Sequence, residues 1–342
     1  MPTSRLPRLQ HGLTLVELMI ALVLGLLVSA GVLGAYLSTA RVFSQNERYA
    51  FMQESARYAL RAAAEDLAMA DFWGQVLSVD TISTGLSAST GSCDDGIDLF
   101  DPATALLFNN YHASPTTTQF TPCTAVTNNR MGGSDVLVVK RVSGSPTSRT
   151  FVDVNDDDGD GNTAETLTTG AADLESNTVY LRSNGTTGRL IDDASSGNPP
   201  AVGESDWRYL PRVYFVRDYY QTAGDGIPAL CRMDITDDQL APPQCLAEGV
   251  EDMHLQFGLD TDSDGVANRY TATPTAAEME AVITARVYLL VRSVDADPLY
   301  TNSKSYLLGD VAIPAANDGF YRRVFQTTVA LRNPINLGLI NQ

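Results

Sequence analysis

Lysine is scarce: the 342 residues contain only Lys140 and Lys304. Neither follows the second glycine of a phosphate-binding loop, which excludes that class of nucleotide enzyme. Histidine is nearly as rare. His11, His112 and His254 form no HExxH pair, and no serine sits in a GxSxG turn. The cysteines Cys93, Cys123, Cys231 and Cys245 form no CxxC pair, which argues against a zinc ribbon or a thioredoxin-like redox motif. Positive charge is short as well. Lys plus Arg is 23 against 41 acids, a net charge of −18. Such a surface repels phosphate backbones, so nothing points to nucleic-acid binding. Proline is missing between Pro7 and Pro102, which leaves a long stretch open to helix. Global disorder is excluded, with 44% hydrophobic and 19% charged residues.

The N-terminus holds what the composition withholds. Residues 1–12 carry Arg5 and Arg8 and no acid. From Leu13 to Leu37 the chain reads LTLVELMIALVLGLLVSAGVLGAYL, whose only charge is Glu17. A helix of that length spans about 37 Å, more than a hydrocarbon core of about 30 Å. The basic end comes first, so residues 1–12 are expected in the cytoplasm and the remainder outside. An ordinary signal peptide cut near Ser29, Ala30 and Gly31 is the alternative. The apolar stretch is long for that role. A carboxylate inside it also costs roughly 2.5–3.5 kcal/mol on insertion, so chance seldom keeps one there.

Gly12 followed by LTLVELMIALVLGLL resembles the class III signal of type IV prepilins. The resemblance implies that a prepilin peptidase cuts between Gly12 and Leu13 and methylates the new amine. The apolar helix then stays attached and becomes filament core. Leu13 stands where that family favours Phe, a departure expected to affect processing efficiency and not identity. Glu17 lies four residues from the new amine, and an opposite charge offsets the burial of a carboxylate. In the family that amine belongs to the adjacent subunit and sets the axial register.

After Leu37 the sequence turns amphipathic without a break. Met52, Ala56, Ala59, Leu60, Ala63, Leu67 and Ala70 recur at helical steps, and Ala, Leu, Glu, Arg and Met favour helix. One helix is expected from Leu13 to Trp73, with Gly74 as its stop. Gly25, Gly31 and Gly34 either permit local melting and close packing or are tolerated membrane-helix glycines. Beyond Gln75 the composition shifts to Ser, Thr, Gly, Asp and Asn between short β-type runs. Strands are expected at Asp135–Val142, Thr178–Arg182, Arg212–Tyr220, Met253–Leu259, Ala285–Val294 and Tyr321–Asn333. Regions 80–133 and 183–206 read as long loops.

The segments RVYFVRDYY, IPALCRM, LAEGVEDMHLQFGLDTDSDGVANRY, ARVYLLVRS and RRVFQTTVALRN are similar to PilW-type minor pilins. The similarity covers the N-terminal helix and roughly 210–333 and is weak over 75–205. It implies a tip or priming role in a complex that starts pilus polymerisation, in some systems beneath a large tip adhesin.

Four cysteines in an exported chain fit two disulfides in an oxidising compartment. Three pairings exist. Cys231–Cys245 and Cys93–Cys123 are expected, each pair being nearest in sequence. Two loops fit D-x-D-x-D-G: Asp260, Asp262 and Asp264 before Gly265, and Asp156, Asp158 and Asp160 before Gly161. Alternate carboxylates can gather oxygens around one Ca²⁺, with the Val266 carbonyl and the Asn268 side chain completing the set of oxygens. The twelfth positions, Thr271 and Leu167, lack the EF-hand Glu. Solvated turns are the competing reading.

The expectation is an α+β pilin fold, a long N-terminal helix packed on antiparallel sheet with elaborated loops. Residues 1–12 form the cleaved leader and 13–37 the membrane-spanning, filament-core half of the helix. Residues 38–74 form its amphipathic half and 75–342 a β-rich periplasmic or extracellular head. The function expected is a minor pilin, not an enzyme, that starts assembly and so supports twitching, adhesion or DNA uptake. Its partners would be other minor pilins, the major pilin, the prepilin peptidase, the inner membrane and a tip adhesin. The alternatives are a type II secretion pseudopilin and a membrane-anchored periplasmic enzyme or binding protein.

Overall fold

The computed structural model describes residues 14–84, 86, 99–102, 105–113, 116–119, 124–153, 165–170, 174–192, 200–236 and 239–333. One helix runs from Leu15 to Ala68, 54 residues and about 80 Å at about 1.5 Å per residue. Its start is capped from both sides. The Glu17 N–H donates to Thr14 Oγ1 at 3.2 Å, and the Thr14 N–H donates back to Glu17 Oε2 at 3.2 Å. This reciprocal box satisfies two N–H groups that a helix start leaves without partners.

The helix ends at Ala68, five residues before the Trp73 expected from its sequence. Asp71 takes a left-handed φ of 62°, and its N–H turns to the Lys140 carbonyl at 3.3 Å. The Asp71 carboxylate accepts the Trp73 indole N–H at 2.8 Å, which fixes the turn. Gly74 follows with φ 65°, and a Cβ there would lie 2.7 Å from the Trp207 ring. Glycine is therefore required both by conformation and by space.

The chain divides into two compact units, residues 1–50 and 51–342. In the first, every described residue from Thr14 to Ser44 is exposed. In the second, the helix buries Met52, Ala56, Ala59, Leu60, Ala63, Asp66 and Leu67. Ala70, just past its end, is buried too. All seven apolar positions expected on this face are thus inside, with one acid among them.

Three larger sheets build the head. The first is ordered Ile82–Thr84, Gly188–Ile191, Tyr180–Ser183, Ser205–Arg208, Ser148–Asp153, Glu165–Gly170. Only the Ile82–Thr84 pairing is parallel. The second, called central below, is antiparallel: Gln244–Glu248, Ala229–Met233, Arg212–Arg217, Val136–Val139, Leu106–Asn110, Thr117–Thr118. Val136, Val138, Val213, Phe215, Ala229 and Met233 form its buried cluster. The third is also antiparallel: Arg269–Thr271, Val250–Leu259, Val282–Arg292, Arg322–Ala330. A small hairpin, Tyr306–Leu308 with Val311–Ile313, covers part of it through Leu308, Tyr288, Leu290 and Val324.

The second and third sheets meet at Gly249, whose φ is 80°. A Cβ there would strike the Arg292 carbonyl at 2.5 Å. Its N–H donates to the Pro228 carbonyl at 2.7 Å, and its carbonyl accepts from the Arg292 N–H at 2.8 Å.

All six expected strands are present. The regions read as loops, 80–133 and 183–206, are corrected: Ile82–Thr84, Leu106–Asn110, Thr117–Thr118 and Gly188–Ile191 are strands within them. Around Leu106–Asn110 and Thr117–Thr118 the backbone is partly paired by amide side chains and not announced by apolar alternation. Asn109 Oδ1 accepts the Gln119 N–H at 2.8 Å, and Gln119 Oε1 accepts the Phe108 N–H at 3.0 Å. Asn110 Nδ2 donates to the Ala272 carbonyl at 2.9 Å and ties the second sheet to the third. Polar residues that read as surface loop are buried here because each finds a backbone partner.

Candidate functional site

The apolar run of the helix forms an uncovered surface. Leu15, Leu18, Leu22, Leu26, Leu33 and Leu37 are each more than half exposed. A contiguous apolar surface of this size marks a membrane or protein partner. The helix is long and apolar enough to cross a membrane. Gly12 and Leu13 lie outside the described residues. Glu17, in the first turn of the helix, holds Thr14 through its N–H and its hydroxyl, the latter at 3.3 Å. The carboxylate therefore has a role within its own chain, as a helix cap, which the sequence reading did not include.

The second half of the helix is held by one acid. Asp66 is fully buried against the central sheet. Its Oδ1 accepts Arg141 Nη2 at 2.7 Å and Arg212 Nη1 at 2.6 Å. Its Oδ2 accepts the Tyr214 hydroxyl, which also reaches the Ala62 carbonyl at 3.3 Å. Burial, reinforced by the Asp66 carboxylate, drives the Tyr214 phenol far above its ordinary pKa, so it stays a donor. Arg212 is braced behind by Asp234 at 3.0 Å, which also takes Arg232 at 2.9 Å. A signal was present in the sequence: Asp66 stands at helical spacing between Ala63 and Ala70 on an otherwise apolar face.

Cys231 and Cys245 are disulfide-bonded across neighbouring antiparallel strands, with Cα atoms 3.8 Å apart. That is the expected pairing. Cys93 and Cys123 lie outside the described residues, as do Asp156, Asp158 and Asp160 of the first Asp-rich loop.

The second Asp-rich loop is described. Asp260, Asp262 and Asp264 each bring a carboxylate oxygen within 4.8 Å of the others. Gly265 turns the chain at φ 83°. The loop also organises itself. Asp260 accepts the Asp264 N–H at 3.2 Å and the Gly265 N–H at 2.8 Å. Asp264 accepts the Val266 N–H at 2.8 Å. The Asn268 side-chain oxygen accepts the Thr261 hydroxyl at 2.9 Å, so a cation would share it with Thr261.

A second cluster has no local sequence signal. His254 is fully buried on Val250–Leu259. Its Nδ1 lies 2.9 Å from Asp135 Oδ2 and its Nε2 lies 2.9 Å from Asp310 Oδ1. His112 packs edge-on with the ring centroids 5.0 Å apart, and its Nε2 lies 3.0 Å from Asp252 Oδ1. Burial pulls the His254 imidazole down, but Asp135 and Asp310 outweigh it and leave the pKa raised. His112 behaves likewise: burial lowers it, and Asp252 more than compensates.

Two family models match. Residues 213–333 match type IV pilus-assembly protein W, and residues 7–33 match the prokaryotic N-terminal methylation motif. The first covers the strands from Arg212–Arg217 to Arg322–Ala330, and the second covers the leader and the start of the apolar helix. Both are families of pilus structure and assembly and neither is an enzyme family. No curated protein and no solved structure matches the chain.

Proposed function

We propose, from the match of residues 213–333 to type IV pilus-assembly protein W and of residues 7–33 to the N-terminal methylation motif, that the chain is a PilW-type type IV pilin, a minor subunit acting in the initiation of pilus assembly. The single observation that carries the reading is the uncovered apolar helix behind a methylation motif. Such a surface is unstable in water and needs lipid first and neighbouring helices afterwards. Cleavage between Gly12 and Leu13 would place a new amine beside Glu17 and the Thr14 cap. An uncut chain has a neutral amide there, so processing would gate assembly. Arg5 and Arg8 favour a cytoplasmic leader, with the head on the periplasmic side of the inner membrane. Other minor pilins and the major pilin would cover the helix, and the head would face them or a large tip adhesin. In this reading twitching, adhesion or DNA uptake depends on the protein through pilus number.

The Asp260–Asn268 loop enters the same proposal as a weak calcium site. Three convergent carboxylate oxygens support it, and an oxygen-only set suits Ca²⁺.

The experiment is deletion of the gene with complementation, scored by surface pili in electron micrographs. Few or no pili, restored by the wild-type chain, support the initiation role. Normal piliation with loss of protein secretion would replace it with a secretion pseudopilin.

A further inference from the structure

The chain has three histidines, and the two outside the leader meet in the interior of the head. They are drawn from distant segments. His112 follows Leu106–Asn110, Asp135 precedes Val136–Val139, and Asp252 and His254 share one face of Val250–Leu259. Asp310 comes from the turn of the small hairpin. One ligand atom from each of His112, Asp135 and His254 lies within 4.8 Å of the other two. With both imidazoles neutral, the buried carboxylates of Asp135 and Asp252 would stand together without a compensating charge, while Asp310 reaches His254 from the exposed side. Two protons or one divalent cation can relieve it.

We propose that His112, Asp135 and His254 bind one Zn²⁺. Two imidazoles and a carboxylate are donors for zinc and not for Ca²⁺ or Mg²⁺, which take oxygen shells. The surroundings already position these groups. Asp135 Oδ1 accepts the Tyr111 N–H at 3.0 Å and its Oδ2 accepts the Leu255 N–H at 3.0 Å. Asp310 accepts the Gln256 amide at 2.7 Å while holding His254 Nε2. A carboxylate behind one ring nitrogen fixes the imidazole and leaves Nδ1 for the metal. His112 is hydrogen-bonded to the Met253 backbone. Asp252, beside His112, is the fourth ligand, or a water takes that place. Zinc arms of about 2.0–2.2 Å set ligand atoms about 3.3–3.5 Å apart, so a side-chain closure of about 1 Å completes the site. The ion would staple the ends of two strands of the second sheet to the interior of one strand of the third.

The test uses the full-length, tag-free chain in detergent, carrying His11→Gln to remove the third histidine and stripped with a chelator. Zn²⁺ alone is titrated by calorimetry, and Co²⁺ is added in parallel for its visible absorption. The expected result is one ion per chain, a rise in thermal midpoint, and the intense bands of four-coordinate Co²⁺. His112→Gln is expected to weaken Zn²⁺ at least tenfold, since losing even a group that only supports a ligand typically costs 10–100-fold. Because His254→Gln can unfold the head, His112→Gln, first matched to wild type by circular dichroism, is the deciding variant. Asp262→Ala, in the separate Asp-rich loop, is expected to change nothing. The proposal is overturned if the wild type shows no saturable Zn²⁺ binding, if Co²⁺ gives only a weak six-coordinate spectrum, or if folded His112→Gln binds as wild type does.

Discussion

Asp66 of the N-terminal helix and Arg212 of the central sheet lie 2.6 Å apart, although 146 residues separate them in sequence. Arg141 and Tyr214 complete the grip on the same carboxylate. Removing the acid would leave two guanidinium groups and a phenol facing an apolar helix. Breaking such a buried pair costs about 3–5 kcal/mol, more than an apolar contact returns. Asp66→Ala should therefore lower the unfolding free energy by about that amount in denaturant titration. A loss under about 1 kcal/mol would mean that the network contributes geometry and not stability.

Processing comes next. Mass spectrometry of the membrane-extracted chain should find Leu13, methylated, at the N-terminus. A start near Ala30–Gly34 would identify an ordinary signal peptide and end the pilin assembly argument. Glu17→Ala should still be cleaved but should give few pili, because the cap on Thr14 is lost together with the charge pair between subunits that the prepilin resemblance implies. Wild-type pilus number in that variant would refute the pairing role.

The Cys231–Cys245 bridge spans a sequence separation of 14. Constraining a loop of about 15 residues stabilises by roughly 3 kcal/mol in the chain-entropy model. The double variant Cys231→Ala, Cys245→Ala should lose stability of that order. Reductant should lower the thermal midpoint of the wild type and leave the double variant less affected.

Calcium at the Asp260–Asn268 loop should raise the thermal midpoint of the full chain in detergent. Saturation at 100 times Kd corresponds to about 2.7 kcal/mol. With Thr271 where a bidentate acid would stand, affinity should fall in the ~10⁻⁴–10⁻³ M range. Asp262→Ala should abolish the shift. No shift at millimolar Ca²⁺ in the wild type would make the loop a solvated turn held by its own Asp260 hydrogen bonds.

Asp225 offers a pH test. Its carboxylate accepts the N–H groups of Ile227 at 2.9 Å, Gln221 at 2.9 Å, Thr222 at 3.1 Å and Tyr220 at 3.2 Å. Those donors, Ile227 foremost, hold its pKa at about 2. The folded value lies below the unfolded one of about 3.9. Its contribution is thus complete above about pH 4 and disappears as pH falls through about 2. Amide resonances of Tyr220–Ile227 should shift together over that window. An Asp225→Asn chain should show no such transition, and a midpoint near 4 in the wild type would contradict the hydrogen-bond account.

The long helix and six strands were legible because their signals are local. An apolar run, a missing proline and a 3.6-residue rhythm act through neighbours in the chain, and so does the Gly12–Glu17 spacing. The nearest-neighbour pairing of Cys231 with Cys245 follows the same logic, since adjacent strands bring close sequence partners together. The strands of 80–133 escaped notice because Asn109, Asn110 and Gln119 pair the backbone with side chains and resemble loop residues until their partners are known. Asp66 was visible only as an acid on an apolar face. Its burial is tolerable because Arg212 and Tyr214 arrive from one strand and Arg141 from the segment that follows Val136–Val139. His112 and His254 carry no signal at a separation of more than a hundred residues. The sequence alone determined the membrane-length helix, its processing motif and the β-rich head, because hydrophobic periodicity and charge placement act over a few residues. The tertiary structure alone decided which polar groups are buried and which converge. A buried charge is stable only beside a partner, and sheet topology, not spacing, chooses that partner.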